Sequence, residues 1–101
     1  MKINVTMENF DSAVIKSAKP VIVDFYADWC GPCRMLGEVL DEIAEERDDV
    51  VIARVNVDDE MALAEAFKVS AIPKLVVVKD GKIVADEVGF MTKAEVLSLL
   101  K

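Results

Sequence analysis

Two short apolar runs, residues 21–27 and 50–57, constrain the fold of this chain more than any other feature. Both runs are rich in β-branched residues, and neither alternates cleanly between apolar and polar positions. Such runs are typical of strands that are covered on both faces, as in a parallel or mixed sheet. The sheet therefore needs helices on both of its sides.

Three further strands are indicated by local patterns. Residues 74–79 and 82–88 are separated by Asp80-Gly81, a strong hairpin signal, so these two strands should be antiparallel neighbours. Residues 2–6 alternate in polarity and read as a short edge strand.

Helices are expected between the strands. Residues 8–18 form a weak amphipathic segment, residues 34–47 carry apolar side chains at helical spacing, and residues 61–67 fit a short helix. A capping-box pattern, Thr92 with Glu95, begins the last helix. The order βαβαβαββα predicts an α/β fold, in which four helices flank a mixed five-stranded sheet in one domain, residues 1–101.

Composition excludes several classes of function. The net charge of −7 argues against nucleic acid or an anionic lipid surface as a partner. Histidine is absent, which removes imidazole catalysis and nearly all mixed Cys/His metal sites. Every apolar run is shorter than the ~20 residues of a membrane helix. The first ten residues lack the pattern of a secretory signal, which favours the cytoplasm.

Both cysteines lie in the segment Cys30-Gly31-Pro32-Cys33, and their chemistry decides the function. Pro32 suits the first turn of a helix, so Cys30 is expected at a helix N-terminus, where free N–H groups and the helix dipole favour a thiolate. Cys33 lies about one turn further in and is expected to be more buried. This asymmetry predicts that Cys30 attacks and Cys33 resolves.

Three other roles for the two cysteines compete with redox exchange. A structural zinc site normally needs four ligands, so zinc would require a dimer in which each copy contributes both cysteines. A permanent disulfide would close too short a loop to add much stability, and such disulfides are rare in the cytosol. Buried inert cysteines fit poorly with Gly31 and Pro32 between them and Trp29 beside them. Redox exchange explains the segment best, with no metal or other bound cofactor.

The segment from Val21 to Cys33 resembles the active-site strand and loop of the thioredoxin family. Matching motifs follow in the family's order over essentially the whole chain: RVNVD at 54–58, AIP at 71–73, DG at 80–81 and VG at 88–89. The resemblance implies the thioredoxin fold and a monomeric, cytoplasmic protein-disulfide reductase that carries electrons in a reversible dithiol. The implied partners are a thioredoxin reductase and client proteins with disulfides.

The resemblance also implies roles for two charged residues. Asp24 is an acid in an apolar strand, where ionisation is costly without a partner. One interpretation is that it faces a polar gap or the sheet end; the resemblance implies instead a buried carboxylate that exchanges a proton with Cys33. Arg54 stands where the family usually carries lysine. Because arginine does not lose its proton, we hypothesise that it holds Asp24 more firmly ionised than lysine would.

A groove for an extended client segment is a further implication of the resemblance. Pro73 would be the family's cis proline, packed against the thiols and leaving the Ile72 backbone free to pair with a client. An apolar rim around Cys30 is expected from Trp29, Gly31, Pro32, Ile72, Gly89 and Phe90. Core packing is the competing interpretation for Ile72 and Phe90.

Three positions depart from the family's pattern. Glu38 stands where a helix-kinking proline is common, which puts the kink in doubt, although Gly37 would still permit a bend. Lys74 replaces the usual threonine after Pro73, which puts a cation close to the groove. Tyr26 replaces a common tryptophan.

Alternatives in function stay open at the level of sequence. A thioredoxin-fold binding subunit would use the surface and not the thiols, and a redox partner could be dedicated to one pathway. The dipeptide Gly31-Pro32 contains no histidine to stabilise the thiolate further, so a reductant is expected rather than an oxidant.

Overall fold

In the computed structural model, which describes residues 1–101, five strands form one mixed sheet. In chain order the strands are β1 (Lys2–Asn4), β2 (Val21–Tyr26), β3 (Val51–Asn56), β4 (Lys74–Lys79) and β5 (Lys82–Val88). Their order across the sheet is β1-β3-β2-β4-β5. β3 is parallel to both β1 and β2, whereas β4 is antiparallel to β2 and β5. The mixed α/β sheet expected from the sequence is confirmed.

Four helical segments accompany the sheet. They are a π-helix (Asp11–Ile15), α1 (Gly31–Glu46), α2 (Met61–Ala66) and α3 (Lys93–Ser98). No helix combines the length and the apolar character that a membrane-spanning segment requires.

Two of the helices differ from the expected boundaries. The segment expected as a helix over 8–18 is one short π-helix, in which the Lys16 N–H donates to the Asp11 carbonyl at 2.9 Å. α1 begins at Gly31, as Pro32 predicts, three residues before the apolar pattern of 34–47, because Pro32 fits the first turn without losing a hydrogen bond. The helix then continues without a break past Gly37 and the exposed Glu38.

Each face of the sheet has its own apolar core. On one face, Val23 and Phe25 of β2 belong to a cluster that includes Val14 of the π-helix and Leu63 of α2. On the other face, a second cluster contains residues of β2, α1 and α3: Ile22, Leu36, Leu40, Ile43 and Val96. Burying each of these side chains contributes roughly 1.5–3 kcal/mol. Helices therefore cover both faces, as the non-alternating strands require.

The short-range signals of the sequence match the observed turns and caps. Asp80 and Gly81 have φ angles of 51° and 76°, which suit the tight connection between β4 and β5. The Thr92 hydroxyl accepts a hydrogen bond from the Glu95 N–H at 3.2 Å, and the Thr92 N–H donates to Glu95 Oε1 at 2.9 Å. This capping box begins α3.

Candidate active site

The two cysteines are joined in a disulfide at the N-terminus of α1, with their Cα atoms 5.2 Å apart. Cys30 is the N-cap residue, and its Sγ accepts a hydrogen bond from the Cys33 N–H at 3.2 Å. Cys30 retains 6% exposure, whereas Cys33 has none. A reacting sulfur can therefore approach Cys30 more readily than Cys33. The helix N-terminus favours a thiolate on Cys30.

Asp24, which is buried, and Arg54, which is 18% exposed, form an ion pair on the sheet face that α1 covers. The two residues are opposite each other in the register of β2 and β3. Because side chains alternate along a strand, Asp24 shares the face of Ile22 rather than that of Val23. Arg54 Nε donates to Asp24 Oδ2 at 3.0 Å. Asp24 Oδ1 is buried and has no hydrogen-bond partner.

Burial dominates the ionisation of Asp24. Loss of solvent raises the pKa of Asp24 from its ordinary value of 3.8 to about 6, although the charge of Arg54 and its hydrogen bond lower it. Arg54 thus favours the ionised carboxylate, as the sequence suggests, but burial outweighs it. An acid with a pKa this close to neutral can accept or release a proton under ordinary cellular conditions.

The Arg54 guanidinium is fixed by its neighbours. Its central carbon lies 3.9 Å from the centroid of the Tyr26 ring, a cation–π contact. On the side of α1, a Cβ at Gly37 would lie 3.5 Å from both terminal nitrogens, so the helix approaches the guanidinium closely here. A surface cleft of about 180 Å³ is lined by Tyr26, Gly37, Arg54 and Cys33, together with exposed acidic residues. Arg54 of the ion pair and the more buried cysteine therefore line the same cleft.

The Ile72–Pro73 segment lies beside the disulfide. Its peptide bond is cis, as the resemblance implies. Ile72 packs against the small cluster formed by Ala27, Cys30 and Cys33. The Pro73 carbonyl accepts a hydrogen bond from the Gly89 N–H at 2.8 Å, which places Gly89 next to Pro73. These contacts bring Ile72, Pro73 and Gly89 together near the thiols.

Trp29 forms one wall of an apolar hollow beside this segment. The indole is 70% exposed, and its Nε1 donates to Asp58 Oδ2 at 2.9 Å. The hollow measures about 200 Å³ and is lined by Trp29, Val57, Ala64, Val69, Ser70, Ala71 and Ile72. An apolar side chain of a bound polypeptide would fit a hollow of this kind.

Not every expected rim residue faces this hollow. Gly31 and Pro32 lie at the start of α1, next to Cys30, and Pro32 is exposed. Phe90 is 44% exposed but lines a different hollow, with Val88 and Met91 among its neighbours. No group of three or more Cys, Asp or Glu side chains is arranged to hold a metal ion.

Lys74 is buried rather than presented to the groove. Its side chain is 8% exposed, and Nζ donates to the Phe67 carbonyl at 2.8 Å and lies 3.2 Å from Asp86 Oδ1. Strand alternation turns Lys74 to the same face as Val76, away from the Asp24 side. Sequence reasoning placed this cation near the groove and missed its partners, because no local pattern connects Lys74 with Phe67 or Asp86.

The similarity of this chain to known proteins extends over its whole length. A family model described as Thioredoxin matches residues 1–101. A protein named thioredoxin from Mycobacterium tuberculosis is 47% identical over 96 residues, covering 94% of this chain and 83% of that protein. Proteins of the same name from Haemophilus influenzae and Acidithiobacillus ferridurans are also similar. The first is 42% identical over 93 residues (91% of this chain, 87% of that protein), and the second is 40% identical over 97 residues (95% and 90%).

Proposed function

The chain belongs to the thioredoxin family, and from that premise we propose that it reduces disulfides in client proteins. One observation carries the proposal: a disulfide joins an N-cap cysteine that retains some exposure to a fully buried cysteine one turn into α1. A pair with this asymmetry can divide attack and resolution between its two sulfurs.

The reduction proceeds in two exchange steps. The Cys30 thiolate attacks one sulfur of a client disulfide; the client S–S bond breaks, and the other client sulfur leaves as a thiolate that takes up a proton. The Cys33 thiolate then attacks Cys30 Sγ. This step forms the Cys30–Cys33 disulfide and releases the second client thiol, so two electrons pass from the dithiol to the client.

Asp24 takes the proton that Cys33 must lose before it resolves the mixed disulfide. Its Oδ2 is bound by Arg54, so the unpartnered Oδ1 is the atom with a free lone pair for this proton. A pKa of about 6 leaves Asp24 mostly ionised at neutral pH, yet basic enough to accept a proton. Cys33 and Arg54 line one cleft, which is the proposed route by which the proton leaves.

Arg54 sets how readily Asp24 ionises, and it does not carry the proton itself. Arginine stays charged at every relevant pH, so it cannot act as a relay. Its stacking on Tyr26 and its hydrogen bond hold a fixed positive charge beside Oδ2. This arrangement supports the hypothesis that arginine holds Asp24 more firmly ionised than lysine would.

The client segment lies in the groove beside the disulfide. Ile72 offers its backbone to an extended segment, since Pro73 has no N–H of its own. Ile72, which packs against Cys30, would contact the client together with Trp29, Pro73 and Gly89, and Phe90 would extend this surface toward its own hollow.

A thioredoxin reductase restores the dithiol after each turnover.

Every group needed for the two exchange steps comes from one chain, which supports action as a monomer. Thiols stay reduced in the cytosol, so a reductant of this kind belongs in the cytoplasm, where it carries electrons and maintains redox balance.

Trapping the mixed disulfide tests the proposed division of labour. In Cys33→Ser the attacking thiolate remains but nothing resolves the adduct, so a covalent complex with a protein disulfide such as insulin should accumulate. Mass spectrometry of the non-reduced mixture measures this complex. Catalytic turnover should fall by about 1,000-fold or more.

Cys30→Ser is the matched control. It should neither turn over nor form the complex, because Cys33 is buried and cannot reach a client. A complex that forms equally with Cys30→Ser would contradict the assignment. Retained biological activity of Cys30→Ser would favour a binding subunit that does not use the thiols.

A further inference from the structure

Lys74 is the second buried charged residue of the protein besides Asp24, and the exchange chemistry does not use it. It is the first residue of β4 and follows the cis Ile72–Pro73 bond. Its ammonium contacts two different elements. Nζ donates to the Phe67 carbonyl at the end of α2, and it lies 3.2 Å from Asp86 on β5.

The hydrogen bonding at the end of α2 leaves one backbone carbonyl for which a cation can act as the donor. The Lys68 N–H donates to the Glu65 carbonyl and the Val69 N–H to the Ala64 carbonyl, which is the pattern of a Schellman motif. Lys68 has φ of 55°, a conformation that a residue with a Cβ adopts at a cost. The Phe67 carbonyl takes no part in these two bonds. Lys74 supplies its donor, at the helix end where a positive charge is favourable.

The segment that follows this helix end forms part of the client groove. Val69, Ser70, Ala71 and Ile72 line the apolar hollow opposite Trp29. The phenyl ring of Phe67 packs against Phe25, with ring centroids 5.3 Å apart, so the core holds its side chain. The Lys74 ammonium binds the backbone carbonyl of Phe67 and so links the end of α2 to β4 and, through Asp86, to β5.

We propose that Lys74 is a positioning residue for client binding, because its ammonium fixes the end of α2 and thereby the 69–72 wall of the groove. This inference rests on the proposed function, in which protein clients bind along that wall. Lys74 lies on the sheet face opposite Asp24, and the partners of its ammonium are the Phe67 carbonyl and Asp86 rather than a cysteine. Its loss should therefore weaken binding of protein clients without changing the chemistry.

Steady-state kinetics of Lys74→Met test this inference. With dithiothreitol as the recharging reductant, the KM for insulin should rise about fivefold, while kcat stays within about twofold. The rate with a small disulfide, 5,5′-dithiobis(2-nitrobenzoic acid), should not change, because that probe needs the two cysteines but makes no use of the 69–72 wall. An unchanged KM for insulin would overturn the inference, and so would an equal loss with both disulfides.

Lys79→Met is the matched control. Lys79 lies at the other end of β4, and its Nζ likewise donates to a backbone carbonyl, that of Leu100. Its loss should leave the KM for insulin unchanged. If both variants raise KM equally, the effect belongs to the strand as a whole and the inference is wrong.

Asp86→Asn removes only the charge of the exposed ion-pair partner of Lys74. It should also raise the KM for insulin, but by a smaller factor than Lys74→Met does.

Hydrogen exchange provides a readout that does not depend on activity. The amide hydrogens of Lys68 and Val69 should exchange about tenfold faster in Lys74→Met than in the wild type, and at the wild-type rate in Lys79→Met. Unchanged exchange at these amides would overturn the positioning role. If exchange changes as expected but the wild type fails to reduce insulin, the proposed function is at fault rather than the contact.

Discussion

Asp24 and Lys74 are both buried charges, but their hydrogen-bonding needs are met to different degrees. Asp24 has one partner, Arg54, and leaves Oδ1 unpaired. Lys74 donates to a helix-terminal carbonyl and pairs with Asp86. A buried charge with an unmet lone pair is costly and readily changes its protonation state, whereas a paired one fixes structure. The difference agrees with the roles that we propose for them, Asp24 as a proton acceptor and Lys74 as a positioning residue for the 69–72 wall.

The two residues lie close together in the sheet and still serve different faces. In the antiparallel pairing of β2 and β4, Asp24 is opposite Leu75 and Phe25 is opposite Lys74. Alternation of side chains therefore turns Asp24 toward α1 and Lys74 toward α2. The thiol chemistry and the client groove can thus depend on separate buried charges at the same end of the sheet.

The largest expected effect is on stability when the charge of Asp24 is removed. The folded protein raises the pKa of this acid from 3.8 to about 6, so the folded state binds its proton more tightly than the unfolded chain does. Ionised Asp24 therefore destabilises the folded state, and this destabilisation is absent below pH 3.8 and complete above about 6. Asp24→Asn should raise the free energy of unfolding at pH 8 by about 3 kcal/mol, and the gain should vanish near pH 3.5. Urea unfolding at the two pH values measures this difference.

Lys74→Met should change the free energy of unfolding in the opposite direction from Asp24→Asn. It removes a charge-assisted hydrogen bond and leaves the Phe67 carbonyl without its donor, so the free energy of unfolding at pH 8 should fall by about 1–2 kcal/mol. If both substitutions stabilise the protein, or both destabilise it, the contrast between the two buried charges does not hold.

A smaller effect is expected from Arg54→Lys. Lysine carries a compact, strongly hydrated charge that stacks less well on Tyr26, so it should stabilise the Asp24 carboxylate less than arginine does. The pKa of Asp24 should rise by about half a unit to one unit above its wild-type value. Carbon-13 NMR of the Asp24 carboxyl in the disulfide form measures it, because neither cysteine titrates in that form. An unchanged pKa would refute the role given to Arg54.

Sequence reasoning succeeded where a feature depends on neighbouring residues. Pro32 predicted a helix start at the cysteines, Asp80-Gly81 predicted the hairpin, and Thr92 with Glu95 predicted the cap of α3. The non-alternating strands predicted a sheet covered on both faces. All of these follow from local backbone preferences or from the period of side chains along a strand.

Features that depend on how distant elements pack were missed. The partners of Lys74 are a carbonyl on α2 and a carboxylate on β5, and the Trp29 indole binds Asp58 after β3. Phe90 lines a hollow of its own together with residues of β5 and α3, and its place at the rim of Cys30 stays a prediction. The segment over 8–18 carried too few apolar side chains at helical spacing to fix its helix type.

The pH dependence of resolution tests most directly whether Asp24 takes the proton of Cys33. Reduced protein is mixed with excess client disulfide and quenched with acid at intervals, and the decay of the Cys30–client adduct is followed by mass spectrometry. For the wild type, the rate should rise through an inflection near pH 6 and then level off until the thiol itself ionises.

In Asp24→Asn the inflection should disappear and the rate at pH 7 should fall by about tenfold or more, because only direct ionisation of Cys33 remains. Asp28→Asn, which changes an exposed acid lining the same cleft, should behave like the wild type. Superimposable profiles for the wild type and Asp24→Asn would contradict the role of Asp24 as proton acceptor.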